Sequence, residues 1–585
     1  MLHYWSEDGE WRSEVEDPSF FLDPEGPRNP EAEWAAAVQA FLEPDKASDS
    51  GVQPRCRFPA RYQFLSSVLG WGDAPTPEPL CPQVEAHIVE LGARSVSVVF
   101  VSHYLGNPAS AFGHAMLHLA GEDRSSDAVL TDYSVSFEAD TENMAPAEYL
   151  PRGLFGGLTA GYRTAPLHER VGRYERRELR DLWTFPLRLT DEEVERLVLH
   201  LWELKDLEFG YGFFGENCAQ KLLALVHAIA PGYGVLPYRS AAVLPQEVAR
   251  RLVERVGLAS EPGHRPSLIG QYERVVHRLT QGEREGLGEM IASRTVPSQA
   301  SPDVLNAALL WSEIETPFNA FERGSAESDP DAVWVRSLWT ASVANLSTSA
   351  SSLVAPEPAR GASILDAHRP SRVVVRGGYA EGHGSIVGLG VRWLLHDAAD
   401  PQLGYPRYST VEVARVDAEA SISGHIAVEE ATAVRVEALG TSSEFHSPVA
   451  WRFEVGARRL SHLGGAPLHF GLEFALGLGA SVSAGGTSIG FFSMAGVRPG
   501  VALAASGTDF VPTGLWSSGV LLSLPSDVRA RLNGEYSFSL ASLDGGGAMF
   551  SADIRRGLGD DWDAQLVLHR RVDRTTISLG LVSFR

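Results

Sequence analysis

The spacing of apolar residues along the chain changes once, near position 370. Upstream, several stretches carry the 3.6-residue period of a helix. In LTDEEVERLVLHLWELK, residues Val194, Leu197, Leu201 and Leu204 form one stripe, Thr190 stands as N-cap and acids fill the first turn, which predicts an amphipathic helix. NPEAEWAAAVQAFLE, PQEVARRLVERVGL, SLIGQYERVVHRLT and the stretch around DVLNAALLWSEIETPFNAF read the same way, and a further helix is expected from Cys218. Between them, SVSVVFVSHYLGNPASAFGHAMLHLAG gives a β-branched run, a glycine and proline loop and a second apolar run, followed by LTDYSVSFEAD; the glycine-rich RGLFGGLTAGYRTAPLHERVGRY is too loose for a long helix. Residues 347–363 have the serine, alanine and proline bias of a linker.

From about 371 the period is two. In DVRARLNGEYSFSL, Val528, Ala530, Leu532, Gly534, Tyr536 and Phe538 point one way and Arg529, Arg531, Asn533, Glu535 and Ser537 the other. About a dozen such segments of roughly ten residues, joined by short Gly, Asp, Pro or Ser turns, suit strands that cross a bilayer at a tilt. A soluble sandwich would share the alternation, but the meander order and the aromatics near strand ends (Trp393, Trp516, Trp562, Phe584) favour an outer-membrane barrel. That reading requires the apolar face to form an outward belt ~25 Å tall and the polar face to line the lumen.

Composition narrows the function. At 585 residues the chain exceeds one ordinary core, and 44% apolar with 21% charged residues excludes general disorder. A formal net charge of −24 excludes a nucleic-acid partner as the expected ligand. No apolar run reaches the ~20 residues of a membrane helix. The acidic start, MLHYWSEDGEWRSEVEDPSFFLDPEG, lacks the basic and apolar segments of a signal peptide, so either the export signal or the true start is expected to lie outside this sequence.

Three cysteines leave one over. Cys56 and Cys81, both beside prolines, are read as a disulfide of an oxidising compartment, against the alternative of two buried reduced thiols. Cys218 is then the free one. It opens a helix after YGFFGEN, where unpaired N–H groups and the helix dipole favour thiolate over thiol. A nucleophile also needs a base. His114 follows Gly113 at the start of a strand, with His118 on the same face and His103 before the preceding loop. His168, His200 and His227 sit where structural histidines are the simpler reading. No HExxH or CxxC spacing supports zinc, and neither a GxSxG elbow nor a phosphate loop is present, so no metal and no cofactor is expected.

GNPASAFGHAMLHL, YERRELRDLWTFPLRLTDEEVERLVLHLWEL and YGFFGENCAQKLL together resemble the Lnb N-terminal periplasmic domain family over roughly residues 95–290. That family is similar to the circularly permuted papain-like hydrolases and acyltransferases, the group of lecithin:retinol acyltransferase, in which the histidine precedes the cysteine. Lnb itself transfers an acyl chain within bacterial lipoproteins and carries membrane helices, which this chain lacks. The resemblance implies His114 as general base and Cys218 as nucleophile. It suggests an oxyanion hole from the Cys218 N–H with Asn217 or Asn107, and an orienting residue in Asp132 or His118. Arg180 and Asp181 are assigned no catalytic role, since YERRELRD is charged enough to supply structural ion pairs.

The expected fold is multidomain α+β. A helical N-terminal preface spans 1–92, a permuted papain-like α+β domain 93–295, a helical extension and linker 296–365, and an antiparallel up-and-down β-barrel of about 12 strands 366–585. The expected function is a bacterial envelope cysteine hydrolase or acyltransferase, anchored in outer-membrane lipid with its catalytic domain in the periplasm, acting on a lipoprotein, lipid or peptide ester or amide. The alternative is a non-catalytic outer-membrane barrel protein whose periplasmic domain binds lipoprotein or peptidoglycan. Oligomeric state is not readable from the sequence.

Overall fold

The computed structural model describes residues 2–7, 9–42, 53–71, 81–105, 110–122, 131–141, 144–234, 243–255, 257–259, 262–315, 330–348, 364–439, 449–460, 463, 467–484, 487–504, 507–541, 546–559 and 561–585. It divides into two compact units, one built on Met1–Tyr272 and the other on Glu273–Glu315 and Arg360–Arg585, each taken over its described residues.

The first unit opens with a hairpin that the helical reading of the preface did not anticipate, β1 (Tyr4–Glu7) and β2 (Glu10–Ser13), turned by Gly9 at φ 86°. Helices α1 (Pro30–Leu42), α2 (Pro54–Arg57), α3 (Pro59–Leu69) and α4 (Pro82–Leu91) follow. The main sheet is antiparallel: β3 (Ser95–Val101), β4 (His114–Ala120), β5 (Tyr133–Ala139), β6 (Leu158–Pro166), β7 (Leu182–Pro186), β8 (Phe209–Tyr211) and β9 (Gly263–Arg265), in the order β8-β6-β5-β4-β3-β7-β9. Helices α5 (Pro146–Phe155), α6 (Leu167–Val171), α7 (Asp191–Glu203) and α8 (Cys218–Ile229) flank it.

Thr190 and Glu193 cap α7 reciprocally, and Val194, Leu197, Leu201 and Leu204 are buried, as the stripe requires. The preface packs on this helix. Cys56 and Cys81 form the expected disulfide, with Cα atoms 5.4 Å apart, and with Ala60 and Val84 they bury Leu199 of α7. The Trp202 indole donates to Cys56 O at 2.9 Å. Buried Arg61 of α3 pairs with Glu33 at 3.0 Å, while its backbone N–H donates to Glu203 of α7 at 2.9 Å. On α8, the buried Lys221 ammonium meets Glu14 at 3.1 Å. The helices that flank the sheet therefore have the preface as part of their core.

In the second unit, helices Gln281–Ser293, Pro302–Glu315 and Pro330–Thr348 precede a closed barrel of twelve antiparallel strands. Each strand pairs with its neighbours in the ring, and the first, Arg372–Ala380, closes on the last, Thr575–Phe584, with Val375 opposite Leu581. A short hairpin, Gly500–Ala504 and Gly507–Phe510, is inserted between the strands Thr487–Arg498 and Thr513–Leu524.

The alternation read from the sequence sorts the faces. Val387, Leu389, Leu476, Leu478, Leu579 and Leu581 face outward and are exposed, whereas Arg392, Glu437, Glu473, Arg498 and Glu535 face inward and are buried. An apolar exterior around a charged interior is the inverse of a soluble core and the arrangement of a transmembrane barrel. Of the four strand-end aromatics, Trp393, Trp516 and Trp562 lie on the exterior; Phe584 is instead buried with Val374 and Val582 and against the His368 ring, 4.6 Å between centroids.

Candidate active site: a buried thiol beside a strand histidine

Helix α8 starts at Cys218 because Asn217 caps it, its Oδ1 accepting from Gln220 N at 3.0 Å. The helix is apolar nearly all round and packs on β4, β5 and α7. Strand β4 begins where Gly113 bends the chain at φ 81°. A Cβ there would lie 3.0 Å from the Phe100 ring, so only glycine suits the position before His114. Helix start and strand start meet: the backbone N–H groups of Ala115, Ala219 and Cys218 itself are directed at the sulfur. Ala115 follows His114 in β4, so the sulfur lies against the start of the strand that carries the predicted base.

The electrostatics differ from the sequence expectation. Those N–H groups do favour thiolate, but burial outweighs them and pushes the Cys218 thiol up to about 11. Burial also lowers His114 to about 4, against the opposing pull of the Glu138 carboxylate. At neutral pH the pair is thus thiol and neutral imidazole. His114 Nε2 is buried without a hydrogen-bond partner among the described residues, and the ring sits 5.9 Å from that of Tyr174.

The predicted supporting residues fall elsewhere. Asn217 spends both amide hydrogens on carbonyls, Phe213 O at 3.0 Å and Val243 O at 2.8 Å, so it is a cap and has no donor left for an oxyanion. Asp132 and His118 hydrogen-bond each other at 2.7 Å. His118 is four strand residues beyond His114, roughly 13 Å away at strand rise, so this pair cannot orient His114. Asn107 lies outside the described residues.

What surrounds the dyad instead was not read from the sequence. β4 and β5 pair with Met116 opposite Ser136, and continuing that register sets His114 opposite Glu138. Glu138 pairs with Arg170 at 2.5 Å and accepts from the Ser136 hydroxyl at 2.8 Å. Burial alone would raise its carboxyl, but Arg170, then His114 and Ser136, hold it below the usual carboxylate range. Arg180 is buried, donating to Ser102 O at 2.5 Å and Val101 O at 3.2 Å with its guanidinium 5.2 Å from the Tyr174 ring centroid, and its charge reaches both Cys218 and His114. Asp181 instead anchors Ser267 N at 2.7 Å.

The phenols of Tyr149 and Tyr211 are raised, by burial first and then by the Cys218 charge, which puts both within electrostatic reach of the sulfur. With Phe112, Phe213 and Phe214 they form an aromatic wall, ring centroids 5.3–6.4 Å apart.

Among the described residues, His368, His396 and Asp400 offer three ligand atoms within 4.8 Å of one another. A cation is disfavoured there, because Arg372, Arg392 and Arg555 already occupy the Asp400 carboxylate. The imidazoles also satisfy each other, with His368 Nδ1 at 2.7 Å from Arg369 O and Nε2 at 3.1 Å from His396 Nδ1.

Residues 84–255 match the model of the Lnb N-terminal periplasmic domain. Residues 1–68 and 365–575 match two domains of unknown function, DUF7843 and DUF7840. No curated protein matches the chain. Among solved structures, the barrel is similar to the NanC porin (11% identity, 36% of this chain and 99% of that one, TM-score 0.23), to the KdgM porin (10%, 36% and 98%, 0.22) and to the Acinetobacter baumannii outer membrane protein Omp33 (12%, 37% and 99%, 0.19). With its apolar exterior and its periplasmic-family domain, the protein is an outer-membrane β-barrel protein bearing a periplasmic domain.

Proposed function

We propose that this outer-membrane protein is a cysteine acyl hydrolase or acyltransferase, working through an acyl-enzyme on Cys218 with His114 as base. The single observation that carries the reading is the seating of the Cys218 sulfur against the Ala115 N–H, next in the chain to His114. A neutral imidazole beside a protonated thiol is the starting state for general-base catalysis.

His114 takes the thiol proton as the sulfur adds to the carbonyl carbon of an ester or amide. The tetrahedral oxygen is met by the Cys218 and Ala219 N–H groups at the start of α8, which face the sulfur before it attacks. Collapse expels the alcohol or amine, which leaves with the proton from His114, and a thioester remains on Cys218. Water or an acceptor amine, deprotonated by His114, then resolves the thioester and restores the thiol. The Glu138 charge opposite His114 stabilises the transient imidazolium. The aromatic wall of Tyr149, Tyr211 and Phe213 favours an acyl chain over a polar peptide as the group transferred.

The burial of Cys218, 4% exposed, favours the second reading, a domain that binds lipoprotein or peptidoglycan without turnover. Intact-mass analysis after incubation with envelope lipid and lipoprotein extracts separates the two. The enzyme gains an acyl mass on Cys218, and Cys218→Ala and His114→Ala each lose it; full acylation of His114→Ala at neutral pH overturns the dyad, and no adduct on the unmodified protein favours binding.

A further inference from the structure

Twelve strands lie between two regimes. Eight-stranded barrels are filled by their own side chains, and sixteen-stranded ones leave an aqueous channel. Which regime holds here depends on what occupies the lumen, and two features fill it.

At the end that carries both termini of the barrel, the connection 397–408 between the strands Gly384–His396 and Ser409–Ser421 turns inward. Ala398 and Tyr408 enter one buried apolar cluster with Ala450, Ala475, Phe492 and Leu521, residues of strands from Val449–Arg459 round to Thr513–Leu524. Gly490 makes room for it, since a Cβ there would lie 3.0 Å from the Tyr408 ring. Charge pins the segment from the other side: Asp400, with no exposed surface, receives Arg372 at 3.2 Å and also Arg392 and Arg555, and Arg555 reaches Asp397 at 3.0 Å.

Beyond this segment, ion pairs join walls that are not neighbours in the ring. Arg458 meets Glu535 at 2.9 Å, four strands away, and Arg531 meets Glu437 at 2.8 Å, five strands away by the shorter path. Arg498 holds Glu454 at 2.8 Å, two strands away, and pairs on adjacent strands, Arg498 with Glu473 and Arg452 with Glu473, both at 3.1 Å, tie these bridges together. Arg498, Glu437 and Glu473 have no exposed surface although they face the lumen.

We propose that the barrel is a closed anchor, its lumen stoppered by the in-turned segment 397–408 and by the cross-lumen arginine–glutamate lattice, so that it passes neither ions nor small solutes. The side chains that bridge opposite walls keep little surface, 12% for Arg458 and 21% for Arg531, and with the in-turned segment behind them they interrupt the continuous water path that conduction needs. This inference does not depend on Cys218.

The test is conductance of the purified full-length protein inserted in planar phosphatidylcholine bilayers in potassium chloride. The unmodified protein gives no discrete current steps. A variant with 398–407 replaced by a glycine–serine linker and carrying Arg458→Ala and Glu473→Ala gains them. Steady steps from the unmodified protein overturn the proposal, and so does a folded variant, shown by its heat-modifiable mobility on gels, that stays silent. Should the variant not fold, swelling of liposomes loaded with the unmodified protein decides instead: no swelling in isotonic glycerol above empty liposomes supports closure, and rapid swelling refutes it.

Discussion

The barrel lumen and the candidate site bury polar groups in opposite ways. In the barrel, each buried arginine meets carboxylates on one or more strands, and Asp400 alone answers three guanidinium groups. In the periplasmic domain, Cys218 is buried and His114 half-buried, with their charged forms disfavoured, and His114 Nε2 has no hydrogen-bond partner among the described residues. An ion-paired network holds its groups in one state, whereas a buried ring nitrogen that lacks a partner is a local cost that an incoming hydrogen-bond partner or proton relieves. The contrast separates charge used for structure from chemistry held in reserve.

Removing one partner from the ion-paired network should produce the largest change in stability. Asp400→Ala leaves three buried guanidinium groups short of an anion, and we expect a loss of about 3–5 kcal/mol, the cost of breaking a buried pair from one side. Urea unfolding in lipid bilayers measures it, and acylation of Cys218 in the folded fraction should be unchanged. A loss under about 1 kcal/mol would mean that the lumen is wet enough to screen these charges.

The unsatisfied centre makes a different prediction, in pH. A thiol raised to about 11 gains thiolate tenfold per pH unit until that value is reached, so alkylation of Cys218 by a small neutral electrophile should climb about 100-fold from pH 7 to 9 and keep climbing. An ordinary thiol levels off just above its pKa of about 8.5. A plateau already at neutral pH would show a thiolate–imidazolium pair in place of the neutral one.

Much of this was readable before any coordinates. The alternation in DVRARLNGEYSFSL fixes which residues face the lipid, because a strand leaves only two faces to choose between. The free cysteine at a helix start and the histidine after a strand-opening glycine were legible for the same local reason. The members around them were not. Glu138 reaches His114 only through the register of two strands, which neither strand's own sequence specifies, and Arg180 enters from a charged run whose neighbours look equally available. The helix dipole at Cys218 was legible too, but its effect was not, since burial outweighs it and burial is a property of the whole fold.

Glu138 tests whether this reserve chemistry is tuned. Glu138→Gln keeps the size and removes the charge that raises the His114 pKa, so the base weakens: acylation should slow about tenfold, a cost of about 1.4 kcal/mol, and its acid limb should move to lower pH. Glu138→Asp should restore most of the rate and move the limb back. A rate loss without a shift of the acid limb would assign Glu138 to packing against Arg170 alone.

The smallest effect on the reaction is expected at Asn217, and there the comparison is sharpest, because this residue borders the candidate site yet has its polar atoms bonded as a structural residue does. Its oxygen caps α8 and its two amide hydrogens are held by Phe213 O and Val243 O. Asn217→Ala should therefore cost about 1–2 kcal/mol of stability in chemical denaturation, the value of a lost cap. Asn217→Asp keeps the cap and loses only the two donors, so it should fall between. If Asn217 stabilised the tetrahedral oxygen instead, the alanine variant would lose roughly 100- to 1,000-fold in the acylation rate at unchanged stability. A stability loss with a near-normal rate places Asn217 with the structure, and leaves the orphan N–H groups of α8 to serve the reaction.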